Sequence, residues 1–218
     1  MIKENKIILI IAVAIIAVGF ILMAKDGKAP GNNGQTAVPI NIADHVWGDI
    51  KAPVQIIVYS DFECPFCARF AATMKVIKEN FKDNVAITFR HYPLLGHPEA
   101  ESAAEVAECA AEQGKFWEMH DKLFADNVAG RMSVEQFKQD AADLGLNQEQ
   151  FNQCLDSGKY NDKITAQIAE GNKAGVTGAP TIFVNGDIYP GAYPFEDFTT
   201  PDGRQEKGMK SIISELLK

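Results

Sequence analysis

Residues 54–67 read Val-Gln-Ile-Ile-Val-Tyr-Ser-Asp-Phe-Glu-Cys-Pro-Phe-Cys, the most informative segment of the chain. Its first part is a continuous, mostly β-branched run, which is typical of a strand buried on both faces of a sheet. The stretch therefore predicts a central strand, Val54 to Tyr59, that leads the chain to two cysteines, Cys64 and Cys67.

A helix is expected directly after the first cysteine. Phe70, Met74 and Ile77 recur at helical spacing between residue 68 and about residue 80. Pro65 suits the first turn, because a proline lacks the N–H that would have no partner there. A second apolar run, Val85 to Phe89, predicts another strand, and a right-handed crossover would set the two strands parallel.

The rest of the chain predicts a helical region followed by a hairpin. Helical periodicity extends from about residue 98 to about residue 175. Asn-Gly then separates the short apolar runs Thr181–Val184 and Asp187–Tyr189, which is a strong hairpin signal. A final helix is expected at about residues 203–217. The order of elements predicts an α/β fold.

The two cysteines have the spacing of a redox pair. A cysteine is a nucleophile only as a thiolate, and the N-terminus of a helix favours that anion. Cys64 would occupy this position, and Cys67 could resolve a mixed disulfide formed there. A zinc knuckle or a plain structural disulfide is the alternative, but the sequence has no second Cys-x-x-Cys. We therefore predict thiol-disulfide exchange, with no metal and no other cofactor.

The N-terminal segment predicts export. Lys3 and Lys6 precede an apolar run, residues 7–24, that is about as long as a bilayer requires. A cleaved signal peptide is the alternative, although its apolar region typically has only about 7–15 residues. We expect residues 1–27 to form a signal anchor, residues 28–38 a flexible linker and residues 39–218 a domain outside the cytoplasm. This domain would be held at the cell membrane by one span, or released if the segment is cleaved.

Composition narrows the class of protein. The chain has 218 residues and a formal net charge of −8, which argues against a nucleic-acid partner, since such a protein needs a basic surface. Its four cysteines are too few for a disulfide-scaffolded mini-protein. Their even number suits two pairs in an oxidising compartment.

Two motifs carry a resemblance to a known family. Residues 60–67, Ser-Asp-Phe-Glu-Cys-Pro-Phe-Cys, and residues 175–181, Gly-Val-Thr-Gly-Ala-Pro-Thr, resemble those of DsbA-like proteins of the thioredoxin superfamily. The resemblance covers essentially everything after the linker. It implies a thioredoxin-like fold with an inserted all-helical subdomain at about residues 98–175, bounding an apolar groove for unfolded polypeptide.

The resemblance also assigns roles to single residues. Pro180 matches a proline that is cis in the family and stands against the dithiol. A proline there would leave the backbone of Ala179 open to strand-like pairing with a substrate chain. Pro180, Ala179, Pro65 and Phe66 are accordingly predicted to line the substrate groove.

The second pair of cysteines lies in the helical region. Cys109 and Cys154 fall in different predicted helices, each amid apolar neighbours. Some DsbA-like relatives bridge cysteines at comparable places, so the resemblance implies a structural disulfide here. Two buried free thiols that pack as small apolar groups are the alternative.

The chain departs from the family at two positions. Many relatives hold a buried acid six residues before the nucleophilic cysteine, where this chain has Val58. The best-known motif has a histidine where this chain has Phe66, which can neither donate to a thiolate nor add positive charge. The nearest acids, Asp61 and Glu63, are interpreted as solvated charges on the loop rather than as proton carriers.

Other suggestive residues have ordinary interpretations. Phe116, Trp117 and Met119 are expected to pack in the core rather than to line a groove. The four histidines show no metal-ligand spacing, and the Glu-rich stretch at residues 99–112 is expected to be a solvated helix face.

The sequence thus predicts a dithiol oxidase that introduces disulfide bonds into exported, reduced polypeptides through Cys64 and Cys67. The resemblance implies reoxidation by a quinone-linked membrane enzyme of DsbB or VKOR type. The alternatives are an extracytoplasmic disulfide reductase or isomerase, and a non-catalytic polypeptide-binding chaperone or copper-handling module.

Overall fold

A mixed five-stranded sheet and seven helices make up the part of the chain that the computed structural model describes, residues 37–218. In chain order the elements are β1 (His45–Trp47), β2 (Val54–Ser60), α1 (Pro65–Phe81), β3 (Val85–His91), α2 (Ala100–Ala111), α3 (Phe116–Ala129), α4 (Val134–Asp143), α5 (Gln148–Ser157), α6 (Asn161–Lys173), β4 (Thr181–Val184), β5 (Asp187–Pro190), β6 (Phe198–Thr199), β7 (Gln205–Glu206) and α7 (Met209–Leu216). Between residues 37 and 218 no helix has the length and apolar character needed to cross a membrane. The predicted anchor at residues 7–24 lies outside the described residues.

The sheet has the order β1-β3-β2-β4-β5, with β2 and β3 parallel and the other neighbours antiparallel. The β2–α1–β3 unit is the crossover that the sequence predicted, and the predicted thioredoxin-like α/β fold is confirmed. β6 and β7 form a separate two-stranded ribbon. The carboxyl end of the central strand β2 pairs with the end of β3 and the start of β4, and the chain runs from there directly to the cysteines.

Successive side chains of β2 point to opposite faces of the sheet, and each face is covered by different elements. Val54, Ile56 and Val58 pack in one cluster with the apolar residues of α1 and α7. Ile57 and Tyr59 point to the opposite cluster, which contains residues near the end of α6. The strand is therefore buried on both sides, as its continuous apolar run predicted.

The five helices α2–α6 stand between β3 and β4. Two of them start at the capping pairs in the sequence: Ser133 accepts a hydrogen bond from the Gln136 amide, and Asn147 accepts one from the Gln150 amide. Phe116 and Met119 are buried in their core, so the expectation that these residues pack inside is confirmed.

A buried cation ties the start of the domain to the sheet. Arg90 on β3 is 1% exposed and pairs with Asp44 at 2.9 Å and with Glu170 at 2.6 Å. Its guanidinium also donates to the carbonyl groups of Val38 and Pro39. Arg90 thereby holds residues 38–44 against the end of the sheet.

Two local predictions were wrong. The last helix begins at Met209 rather than near residue 203, because Thr200 and Arg204 close a turn that pairs β6 with β7. The Glu-rich stretch is not a solvated face, because α2 packs against α3, α4, α5 and α6 and buries Glu105 and Glu108.

Candidate active site

Cys64 forms the N-cap of α1, at the junction that the sequence predicted. The Cys64 amide donates to the Asp61 carbonyl over 3.2 Å, and the Cys64 carbonyl accepts from the Ala68 amide over 3.1 Å. The tight turn before the helix and the first helical hydrogen bond therefore fix this residue from both sides. Its thiol is free and 3% exposed.

The surroundings of Cys64 favour its thiolate. A hydrogen bond from the Cys67 thiol, joined by the backbone amides of Cys67 and Phe66, lowers the pKa of Cys64 from 9.0 to about 6, although burial and the charge of Asp61 oppose the shift. These donors are the unpaired N–H groups of a helix N-terminus, which also places the positive end of the dipole at the sulfur. At neutral pH most of Cys64 is therefore in its nucleophilic form.

Cys67 has the opposite character. It is free, 1% exposed, and packs inside the cluster that joins the active site to the helical insertion. Burial, together with the hydrogen bond to Cys64, raises the pKa of the Cys67 thiol far above its usual range, against the donors Ser60 and the Asp61 amide. The Asp61 amide lies 3.4 Å from the sulfur of Cys67. The two cysteines thus form an asymmetric pair, with one thiolate and one protonated thiol.

The loop before β4 completes the site. The sulfur of Cys64 lies 3.5 Å from the Ala179 carbonyl oxygen, and the peptide bond between Ala179 and Pro180 is cis. Thr181, the next residue, pairs with Tyr59 at the end of β2. This pairing brings residues 179–181 beside the cysteine motif.

Pro65 and Phe66 lie on the outer side of the motif. Both are exposed, Phe66 to 54%, and the guanidinium of Arg69 stands 5.3 Å from the centre of the Phe66 ring. The residues predicted to line a groove, Pro65, Phe66, Ala179 and Pro180, thus flank the dithiol from two segments of chain.

Asp61 corrects the interpretation of the nearby acids. Its side chain is fully buried, whereas the sequence suggested a solvated charge. One carboxylate oxygen accepts from the Glu63 amide at 2.8 Å, and the other accepts from the Leu94 amide at 2.9 Å and contacts Nδ1 of His97 at 2.6 Å. The bond to the Glu63 amide is an Asx turn, which the Asp-Phe-Glu sequence could have suggested. The partner His97 could not be inferred, since it comes from the loop after β3.

Glu63 is partly exposed and accepts a hydrogen bond from the Glu99 amide at 2.6 Å. It therefore holds the loop before the cysteines against the start of α2. Position 58, where many relatives hold an acid, is a fully buried Val58 packed with α1.

Cys109 and Cys154 are joined in a disulfide between α2 and α5, with their Cα atoms 5.8 Å apart. Both residues are buried in the core of the insertion. The disulfide closes a loop across a sequence separation of 45 residues.

Two histidines belong to a buried polar network, and a third is buried elsewhere, away from the dithiol. His45 and His91 each contact a carboxylate oxygen of Glu108 at 2.9 Å, and Lys163 pairs with the same group at 2.8 Å. His120 is buried among aromatic rings. Across residues 37–218, no three His, Cys, Asp or Glu side chains are grouped so as to hold a metal ion.

The fold and the dithiol define a class: a thioredoxin-like chain with a helical insertion and a Cys-x-x-Cys motif at the N-terminus of its first helix. The family model described as Thioredoxin matches residues 41–200. The chain belongs to this thioredoxin family.

Solved structures show the same architecture. Oxidised BdbD from Bacillus subtilis superposes with a TM-score of 0.69 at 21% identity, covering 84% of this chain and 97% of BdbD. The α-DsbA1 protein of Wolbachia pipientis superposes with a TM-score of 0.64 at 23% identity, covering 82% and 93% of the two chains. These likenesses confirm a DsbA-like thioredoxin fold.

A similar segment also forms part of a longer curated relative. The Na(+)/H(+) antiporter NhaA 1 of Salinispora arenicola is 37% identical over 154 residues, which cover 70% of this chain. The match spans only 23% of that antiporter's length. The likeness therefore concerns a module of the antiporter and not the whole protein.

Proposed function

We propose that this chain is a thiol-disulfide oxidoreductase that works as a dithiol oxidase on exported, reduced polypeptides. The observation that carries the proposal is the asymmetry of its cysteine pair, a Cys64 with a lowered pKa beside a buried, protonated Cys67. This is the arrangement that exchange chemistry needs, because one sulfur must attack or leave easily while the other stays inside.

The reaction proceeds by two displacements. In the oxidised enzyme a substrate thiolate attacks the sulfur of Cys64, the bond between the two cysteines breaks, and Cys67 leaves and takes up a proton. A second substrate thiolate then attacks the substrate sulfur of the mixed disulfide and releases Cys64 as a stabilised thiolate. The substrate gains one disulfide, and the enzyme gains the two electrons and becomes the dithiol.

The stabilised thiolate supports the oxidase direction. Lowering the pKa of Cys64 from 9.0 to about 6 stabilises the reduced form at pH 7 by roughly 1–2 kcal/mol. This is roughly 20–40 mV toward a more oxidising disulfide. A quinone-linked membrane enzyme of DsbB or VKOR type would then remove the two electrons and restore the disulfide.

The substrate would bind beside Ala179. The Ala179 carbonyl oxygen lies 3.5 Å from the sulfur of Cys64, and Pro65 and Phe66 of the motif are exposed to solvent. An extended substrate segment placed between them could pair with the backbone of residue 179 and bring its cysteine to Cys64.

We place the domain outside the cytoplasm, attached through residues 7–24. The support is the apolar run after Lys3 and Lys6, which is long enough for one span. Resistance of the protein to alkaline extraction of membranes, together with an intact N-terminus in the mature chain, is the expected result. A soluble chain that begins after residue 24 would show a cleaved signal peptide instead.

Trapping tests the enzymatic proposal. In the native host, a Cys67→Ala variant should accumulate mixed disulfides between Cys64 and exported proteins, and a Cys64→Ala/Cys67→Ala variant should accumulate none. The absence of any mixed disulfide on the single variant would count against exchange chemistry.

Refolding assays separate the alternatives. Wild type should speed oxidative refolding of a reduced model protein more than it speeds reduction of insulin, and faster insulin reduction would favour a reductase. Cys64→Ala should abolish the effect. Full refolding activity of Cys64→Ala would favour a chaperone and overturn the oxidase.

A further inference from the structure

Asp61 connects the two cysteines through its backbone. Its carbonyl accepts from the Cys64 amide over 3.2 Å, and its own amide donates to the Cys67 sulfur over 3.4 Å. Its carboxylate cannot turn away from this position, because it also holds the amides of Glu63 and Leu94. A fully buried carboxylate is thus held in place by the residue whose backbone contacts both cysteines.

A fixed anion at this place opposes the chemistry. The charge of Asp61 raises the pKa of Cys64, so it works against the donors at the helix N-terminus. Two neighbouring anions in a poorly solvated site repel each other unless a cation offsets one of them. The side chain that meets Asp61 is His97, whose Nδ1 lies 2.6 Å from the carboxylate and whose side chain is 27% exposed.

We propose that His97 is a positioning residue whose cation offsets the Asp61 carboxylate and thereby keeps Cys64 in its reactive thiolate form. The inference rests on the proposed exchange function and extends it. It assigns to the Asp61–His97 pair the control of charge at the dithiol, while Phe66 supplies no charge within the motif itself.

The charges around His97 agree with this role. Burial lowers its pKa, but the hydrogen bond to Asp61 and the charges of Asp61, Cys64 and Glu63 raise it above its usual value. The three charged groups that raise the pKa of His97 are therefore all anionic. His97 carries its proton at and below its usual titration range and loses it as pH rises through the higher folded value.

The coupling between His97 and Cys64 is reciprocal. A protonated His97 favours the Cys64 thiolate, and the thiolate favours a protonated His97. Once His97 loses its proton, the charge of Asp61 is no longer offset and the thiolate is less stable. The titration of Cys64 should accordingly contain a second, weaker inflection that belongs to His97.

The test follows the ultraviolet absorbance of the thiolate against pH in the full-length chain, with Cys64 and Cys67 reduced. The disulfide between Cys109 and Cys154 stays intact, so these two cysteines do not titrate. His97→Asn retains a polar group near the position of Nδ1 but removes the charge, and should move the Cys64 titration upward by about 0.5–1 pH unit. This is less than a fully buried charge would give, because His97 is partly exposed. His97→Lys should keep the titration near that of wild type but lose the second inflection.

Two further variants separate charge from shape. Asp61→Asn should lower the Cys64 titration, and adding His97→Asn to it should have little further effect, because the anion to be offset is gone. His45→Gln is the matched control, since His45 pairs with Glu108 instead of Asp61. An unchanged titration in His97→Asn, or equal shifts in His97→Asn and His97→Lys, would overturn the proposal.

The readout does not depend on turnover. If the Cys64 titration depends on His97 but the wild-type protein transfers no disulfides, the charge pair is supported and the proposed function is overturned. If the wild-type protein is active but its Cys64 titration does not depend on His97, the charge pair is overturned and the proposed function is retained.

Discussion

The sulfur of Cys64 lies 3.5 Å from the carbonyl oxygen of Ala179, although the two residues are 115 positions apart in sequence. The contact joins the N-terminus of α1 to the loop before β4, and it exists because β4 pairs with β2. A strand pairing in the sheet thus sets the position of the backbone that faces the reactive sulfur.

Alkylation should distinguish the two active-site cysteines. Because the pKa of Cys64 is lowered to about 6 and that of Cys67 is raised, iodoacetamide should modify Cys64 alone in the native dithiol protein. The rate should reach half of its maximum near pH 6. Mass spectrometry of the modified peptide and a Cys64→Ser control provide the measurement, and labelling of Cys67 in the folded wild type would contradict the assignment.

Phe66→His should make the protein more oxidising. Phe66 is 54% exposed, so a histidine can be placed there without disturbing the core. A donor or a positive charge beside the thiolate would lower the pKa of Cys64 by up to about one unit, which is about 30 mV in equilibrium with glutathione. Phe66→Leu, which adds neither, should leave the potential unchanged, and an equal shift in both variants would refute the electrostatic explanation.

The disulfide of the insertion should contribute to stability without affecting exchange. Its closed loop spans a sequence separation of 45 residues, for which the chain-entropy model gives about 4 kcal/mol. Cys109→Ala/Cys154→Ala should lower the free energy of unfolding in urea by about that amount, while the alkylation rate of Cys64 stays the same. A loss below about 1 kcal/mol would mean that the cross-link does little to restrict the unfolded chain.

Glu108 should make stability depend on acid pH. Burial opposes its ionisation, but hydrogen bonds from His45 and His91 hold the pKa of Glu108 well below its usual range. A depressed folded pKa means that the ionised carboxylate stabilises the protein above the unfolded pKa of about 4.3, and that this contribution is lost as pH falls through the folded value.

Glu108→Gln tests this dependence. The variant should be less stable than wild type by about 3 kcal/mol near neutral pH, because it leaves a buried network without its anion. The difference should shrink as the pH falls below about 4. Urea unfolding at several pH values gives the comparison, and a difference that stays constant with pH would exclude ionisation of Glu108 as the cause.

Local features of this protein could be predicted because they depend on neighbours in the chain. The apolar run of β2, the periodicity of α1, the capping residues Ser133 and Asn147, and the Asn-Gly turn each express a preference of a few adjacent residues. The position of Cys64 at a helix N-terminus follows from the same local pattern, and so does the expectation of a reactive thiolate.

Contacts between segments that are distant in sequence could not be predicted in this way. Asp61 was interpreted as solvated because its own loop is polar, yet the chain from Leu94 to His97 covers it. Glu108 lies in a stretch rich in glutamate, yet β1, β3 and α6 bring His45, His91 and Lys163 to it. The pairing of β6 with β7, which delays the last helix, is likewise a contact between separate segments.

Strand β2, the dithiol and helix α1 could thus be predicted from the chain alone, since apolar patterning, cysteine spacing and helical periodicity are properties of short segments. The groups that surround the two sulfurs, and the charges buried beside them, are set by the packing of distant segments. Burial and charge compensation depend on distances in space, and Ala179 and His97 come beside Cys64 and Asp61 only when β2, β3 and β4 pair in one sheet.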